Sequence, residues 1–128
     1  MKKYLLGIPC LLFLTSFLVA PLALASPDDE ETPKPKHTTK DVMKKAMKGG
    51  LLKKVAGGEA TDEEKKELLD LFISMLENKP PKGEMESWHN LAGASALAAA
   101  KMVVGREGAA AELKAATDCK ACHSQHKP

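Results

Sequence analysis

The sequence predicts an all-α chain folded as an antiparallel four-helix bundle, and three observations carry that expectation. Apolar residues recur at three- and four-residue steps over four separate stretches, the period of a helix with one buried face. Glycines or a proline pair separate the stretches and leave only short connections, which set successive helices side by side and antiparallel. No segment alternates apolar and polar residues as a half-buried strand would.

The chain opens on residues 1–25, which read as an export signal. Lys2 and Lys3 supply the positive end, the run from Leu5 to Ala20 is nearly all apolar, and Ala23-Leu24-Ala25 is a small-residue cleavage site before Ser26. Cys10 follows Gly7-Ile8-Pro9, a poor lipoprotein box, so no lipid anchor is expected. Cleavage would leave residues 26–128 with no membrane span; an uncleaved anchor is the other reading of the same apolar run. Residues 26–37 follow as a flexible linker, with three prolines, clustered charge and no large apolar side chain.

Residues 38–128 form the expected helical domain. Thr38 or Thr39 caps the first helix, with Asp41 favourable in its first turn. Met43, Met47, Leu51 and Val55 recur every four residues, Val42, Ala46 and Leu52 widen the stripe, and lysines hold the other side. Gly49-Gly50 interrupts it, at about 1 kcal/mol per glycine relative to alanine. Such a pair marks either a local break or a close approach of the backbone to another object, a flat cofactor edge being one. Gly57-Gly58 ends this helix, and Thr61-Asp62-Glu63-Glu64 opens the second with a capping box. Its stripe is Leu68, Leu71, Phe72, Met75 and Leu76, and Asn78 with Pro80-Pro81 stops it. The third helix runs from about Glu84 to Val104 on Met85, Trp88, Leu91 or Ala92, Ser95, Ala99 and Met102, and Gly105 breaks it. The fourth starts near Glu107 or Gly108 and runs through Ala110, Leu113 and Ala116 or Thr117 into the last ten residues.

Those residues hold the one motif with chemistry in it, Cys119-Lys120-Ala121-Cys122-His123. Two thiols three positions apart, followed at once by an imidazole, form the attachment pattern of a c-type haem. Each thiol can bond one of the two vinyl groups on a porphyrin edge, and the adjoining histidine can then bind the iron. On a helix, positions 119, 122 and 123 share a face, so one short segment would tether the group and supply its proximal ligand. A zinc site or a bare redox disulfide are the competing readings. Against zinc there is no second CxxC and no HxxxH; against a thioredoxin-like disulfide there is no βαβ pattern.

Composition points the same way. The 19 basic residues lose Lys2 and Lys3 with the leader, leaving 17 against 17 acidic ones, a balance that excludes a general nucleic-acid binder. Only Cys119 and Cys122 remain after residue 25, so no disulfide framework staples the fold, and Phe72 and Trp88 are the only aromatic residues left. A domain of this size is marginal in buried area, and a buried porphyrin would add apolar volume.

The stretch from Glu86-Ser87-Trp88 through the alanine-rich third helix, Gly105, Ala109-Ala110-Ala111-Glu112-Leu113-Lys114-Ala115-Ala116 and the terminal motif resembles the cytochrome c prime family, the class II c-type cytochromes. Members are four-helix bundles with the haem motif at the end of the last helix, whereas class I cytochromes carry it near the N-terminus. Lys127 occupies the place, four residues past the haem histidine, where the family often has a basic residue. The resemblance covers the last two helices well and the first two only in layout.

The resemblance implies one covalent haem c, held by Cys119 and Cys122 with His123 as proximal ligand, and two functional branches. In one, a methionine of the first helix closes the sixth iron position and the protein carries electrons; in the other, the position stays open and binds nitric oxide or carbon monoxide. Met47 is the preferred sixth ligand and Met43 the runner-up; a turn apart, they cannot both meet one iron. Thioether ligation favours reduced iron, which suits a carrier. His89 is a lesser candidate, His126 should lie along the same face as His123, and His37 belongs to the linker.

The expectation is therefore an exported, periplasmic, mono-haem one-electron carrier with no catalytic constellation. The alternatives are a five-coordinate gas-binding haem protein and a non-haem helical module whose CxxCH is structural or binds zinc. The redox partner is unknown; Lys114, Lys120 and Lys127 near the motif would suit an acidic one. Family members often dimerise through the first two helices, and exposed apolar residues there, such as Leu52 or Leu69, would permit a homodimer.

Overall fold

A computed structural model of the chain describes residues 34–128, and among them every regular element is helical and none is a strand. The expected leader, residues 1–25, and most of the linker lie outside the described residues. No helix among the described residues is long and apolar enough to cross a membrane.

Helix α1 (Thr39–Val42) starts on Thr38, whose hydroxyl accepts the Asp41 amide while the Asp41 carboxylate accepts the Thr38 amide. This reciprocal cap satisfies two of the amides that a helix start leaves without partners. The chain then widens into a π-helical segment, Met43–Lys48, closed by the bond from the Gly49 amide to the Lys44 carbonyl. Gly50, at φ +79°, is the left-handed residue from which α2 (Leu51–Ala56) departs. The glycine pair is thus a break within the first helical stretch. The object that Gly49 approaches is its own backbone, because a Cβ there would stand 2.5 Å from the Lys45 carbonyl oxygen.

Helix α3 (Asp62–Glu77) begins on the expected capping box of Thr61 and Glu64 and ends at Asn78. The Asn78 side-chain Nδ2 donates to the Ser74 carbonyl at 2.5 Å and also to the His37 carbonyl at 2.8 Å. His37 and Lys36 both meet Asp70 of α3, at 3.3 and 2.7 Å, so the end of the linker segment is fastened to this helix. Helix α4 (Met85–Val103) packs along α3. Helix α5 (Ala109–Ala116) lies against α4 and α2.

The expected single fourth helix is two helices. It stops at Thr117 and restarts as α6 (Cys119–His126), with Asp118 between them. The reason is local: the Asp118 carboxylate accepts the amides of Lys120 and Ala121 at 2.9 and 3.1 Å, which it does from an extended, non-helical backbone. The Ala116 carbonyl left at the break accepts the Ser95 hydroxyl of α4.

Leu68, Leu71 and Phe72 of α3 form the middle of the core, joined by Val42, Ala46, Val55 and Leu113. Each such aliphatic or aromatic side chain contributes roughly 1.5–3 kcal/mol on full burial, which makes α3 the largest single apolar contributor. Facing it, α4 offers Ala92, Ala96 and Ala99, whose small side chains let the helices approach closely. Two expectations are corrected here. Met85, expected on the buried stripe, is 40% exposed at the first turn of α4. Leu52 and Leu69 are half-buried against the core, and among the described residues the large exposed apolar ones are instead Ile73, Met85, Leu97 and Val104.

Candidate functional site

The CxxCH segment makes up the first five residues of α6. Asp118 fixes the start of this helix, and an eight-residue helix has little stability alone, so its cap and its packing set where the thiols stand. Cys119 is exposed and Cys122 half-buried, both as free thiols. Burial pushes the Cys122 thiol above its usual range, and the neighbouring Cys119 adds to the shift. His123, in the same helix turn as Cys122, is exposed.

Cys119, Cys122 and His123 share one wall of a cavity of about 220 Å³. Met43 and Met47 stand in the same cavity from the π segment, with Met75 of α3 and Trp88, Leu91 and Ala92 of α4. Residues more than seventy positions apart in the chain thus meet around one space with a mostly apolar lining. An adjoining chamber of about 420 Å³ shares Met43, Trp88, Cys122 and His123 with it. The first cavity alone falls short of the roughly 300–1,000 Å³ common for small-molecule sites, and the adjoining chamber brings the pair into that range.

The two methionines are placed differently from the deepest residues of their segment. Val42 and Ala46 are fully buried, while Met43 and Met47 are half-buried and face the cavity. π-helical turns inside α-helices are rare and occur frequently at functional sites, and this one carries both thioethers. His89 is exposed on α4 and stands outside the walls of both chambers, and His37 is bound to Asp70. Among the described residues no three His, Cys, Asp or Glu side chains converge as a cage for a metal ion. Cys119, Cys122 and His123 therefore line a wall; they do not close around a point.

Trp88 is the joint of the site. It is buried, lines both chambers, and donates its indole N–H to the Met75 carbonyl at 3.1 Å. Its ring meets that of His126 edge to face, with centroids 5.3 Å apart and planes at 78°. A third hollow, of about 790 Å³, opens beside Cys119 between Leu52, Lys53 and Lys114. Lys114, Lys120 and Lys127 are exposed around the motif, as expected for solvated or docking lysines.

Met75, Trp88 and Ser95 stand on the expected helical stripes and also line the cavity, which the stripes do not reveal, and Asp118 adds a cap that the expectation of one continuous fourth helix lacks. An N-cap residue directly before the motif was the available signal for Asp118. Nothing in the local pattern singles out Met75 or Trp88 as cavity walls, because that follows from which helices pack together. No protein-family model matches this chain, and neither the curated proteins nor the solved structures give a match.

Proposed function

We propose that the chain is an exported, periplasmic, mono-haem c-type cytochrome of the cytochrome c prime kind, an antiparallel four-helix bundle that carries single electrons. The observation that carries this reading is the shared wall: Cys119, Cys122 and His123 border one apolar cavity into which two first-helix methionines project. The donor set fits a covalently held haem: two free thiols at the attachment spacing, an imidazole next to the second, and an apolar space beside them.

Cys119 and Cys122 would hold the group by thioether bonds, His123 would be the proximal ligand, and Met47 the sixth, with Met43 the other candidate. Bound there, haem supplies a one-electron iron couple whose potential depends on its axial ligands and burial. The chain's own part is to hold position and to limit water. Trp88, Leu91 and Ala92 line the space, Asp118 fixes the start of the ligand helix, and the exposure of Cys119 leaves one edge of the site near the surface. Exposed lysines beside that edge suit an acidic redox partner, and their main effect would be on encounter rate. The zinc alternative draws no support from side chains that line a wall.

The test is the visible spectrum of the chain matured in an exporting, haem-attaching host, oxidised and reduced, with and without carbon monoxide. Sharp low-spin bands, a weak far-red methionine-to-iron band lost in Met47→Ala, and no change with carbon monoxide are expected. Quenching of Trp88, the only tryptophan in the chain, should accompany haem attachment because its ring borders the site. High-spin bands that shift with carbon monoxide would move the protein to the gas-binding branch. Absence of covalent haem would refute both haem readings.

A further inference from the structure

His126 is not needed for attachment or ligation, yet it is the most buried residue of α6, at 2% exposure. Its Nδ1 lies 2.8 Å from the Lys82 carbonyl, which has only lone pairs to offer, so Nδ1 carries a proton and donates it. Its Nε2 lies 3.0 Å from the Ser87 hydroxyl of α4. The same Ser87 hydroxyl lies 2.6 Å from Gln125 Oε1, so its single proton is shared between that oxygen and the His126 ring nitrogen.

The ground opposite the ring is shaped to receive it. Gly83 has φ +83°, and a Cβ there would stand 2.9 Å from His126 Nδ1 and 2.8 Å from the Gln125 carbonyl oxygen. Only glycine permits both that backbone and that approach. The imidazole also meets Trp88, which borders both chambers of the site. Among the described residues no buried side-chain polar atom lacks a partner, and His126 has one at each nitrogen.

We propose that His126 is a positioning residue: its imidazole, bonded to Lys82 and Ser87 and set edge-on to Trp88, pins the C-terminal end of α6 so that His123 is held against the cavity. Asp118 fixes one end of the helix and His126 the other, with His123 three residues before the pin. The same bonds occupy both His126 nitrogens and keep this second imidazole from competing as a ligand. The inference rests on His123 being the proximal ligand.

The experiment compares the full-length wild type with His126→Phe, His126→Asn and Ser87→Ala, each as the haem-free and the haem-attached chain. His126→Phe keeps a ring against Trp88 and loses both hydrogen bonds; His126→Asn retains a donor for Lys82. Hydrogen exchange at the amides of residues 122–126 in His126→Phe should speed up roughly ten- to a hundredfold, the loss expected for two hydrogen bonds, with α3 unchanged. Ser87→Ala should give a smaller increase confined to α6, and His126→Asn should recover most of the protection. In the haem-attached chain, His126→Phe should shift the midpoint potential and broaden the reduced bands, and His126→Asn should restore both.

Wild-type exchange and potential in a haem-attached His126→Phe would overturn the positioning role and leave the haem reading intact. Exchange accelerated equally across all helices in His126→Phe, with Ser87→Ala and His126→Asn silent, would make His126 ordinary core and overturn it too. A wild-type chain that takes no haem would refute the function itself, and the positioning role with it.

Discussion

Alanine at position 49 sets two effects of similar size against each other. In an ordinary helix interior Gly→Ala is favourable by about 1 kcal/mol, because alanine restricts the unfolded chain and suits the helix. Gly49 has an ordinary right-handed backbone at φ −71°, so nothing in its dihedrals opposes the change. Space opposes it: the new Cβ would stand 2.5 Å from the Lys45 carbonyl oxygen and 3.3 Å from that of Lys44. Both obstacles are backbone and cannot swing aside as a flexible side chain would. Forcing an extra carbon into a packed place costs about 1–3 kcal/mol, and against rigid backbone at this distance the upper half of that range, about 2–3 kcal/mol, applies, so the clash wins by about 1–2 kcal/mol. In a domain of this size that is roughly 4–15 °C in Tm.

Position 50 is the control. A Cβ on Gly50 meets nothing within 4 Å, but φ of +79° disfavours alanine by about 1–2 kcal/mol and is tolerated by asparagine. Gly50→Asn should therefore regain most of the loss seen in Gly50→Ala, whereas Gly49→Asn should be no better than Gly49→Ala. Thermal and urea unfolding of the four variants gives the answer. A Gly49→Ala protein as stable as wild type, or more so, would refute the steric account and with it the view that the π segment is built around this glycine. On the proposed haem reading, Gly49→Ala should also weaken a methionine-to-iron band, since Met43 and Met47 lie on that segment.

Three further outcomes are expected. Asp118→Ala should cost about 1 kcal/mol, the usual worth of an N-cap, and Asp118→Asn much less; hydrogen exchange should place the loss in α6, and a loss spread evenly through the chain would count against a capping role. In the haem-free chain, alkylation followed by mass spectrometry should find Cys119 modified before Cys122, since Cys119 is exposed and burial raises the Cys122 thiol; equal rates would contradict the half-buried setting. The Lys36 ammonium, and His37 after it, hold the Asp70 carboxyl below its usual value of 3.8. A carboxyl with a depressed folded value stabilises above its unfolded value and loses that stabilisation as pH falls through the folded one. The gap in urea midpoint between wild type and Asp70→Asn should therefore be full at pH 6 and close below about pH 4; a gap that grows on acidification would reverse the assignment.

Much of the local architecture was written in short stretches of sequence. Thr61 with Glu64 is a capping box in the sequence and in the structure, and of the two threonines expected to cap the first helix it is Thr38 that closes on Asp41, because a cap joins residues three apart and depends on little else. The breaks at Gly57-Gly58, Pro80-Pro81 and Gly105 fall where expected for the same reason. The break before Cys119 is equally local, set by the aspartate at 118, but the alanine-rich run ahead of it favours one continuous helix and masks the cap.

The sequence by itself determined that the described chain is helical, where most of its helices begin and end, and that two thiols and an imidazole stand at haem-attachment spacing. Only the tertiary structure decided that Met43 and Met47 face those thiols, that Met75 and Trp88 complete the wall, that Leu52 and Leu69 are covered, and that His126 is buried and held by Lys82 and Ser87. Periodicity says that a helix has an apolar face, but the partner of that face depends on how side chains of particular volume pack. His126 shows the difference most plainly. In sequence it is a polar residue two places from the end of the chain, and its burial follows from a carbonyl, a hydroxyl and a glycine about forty positions away.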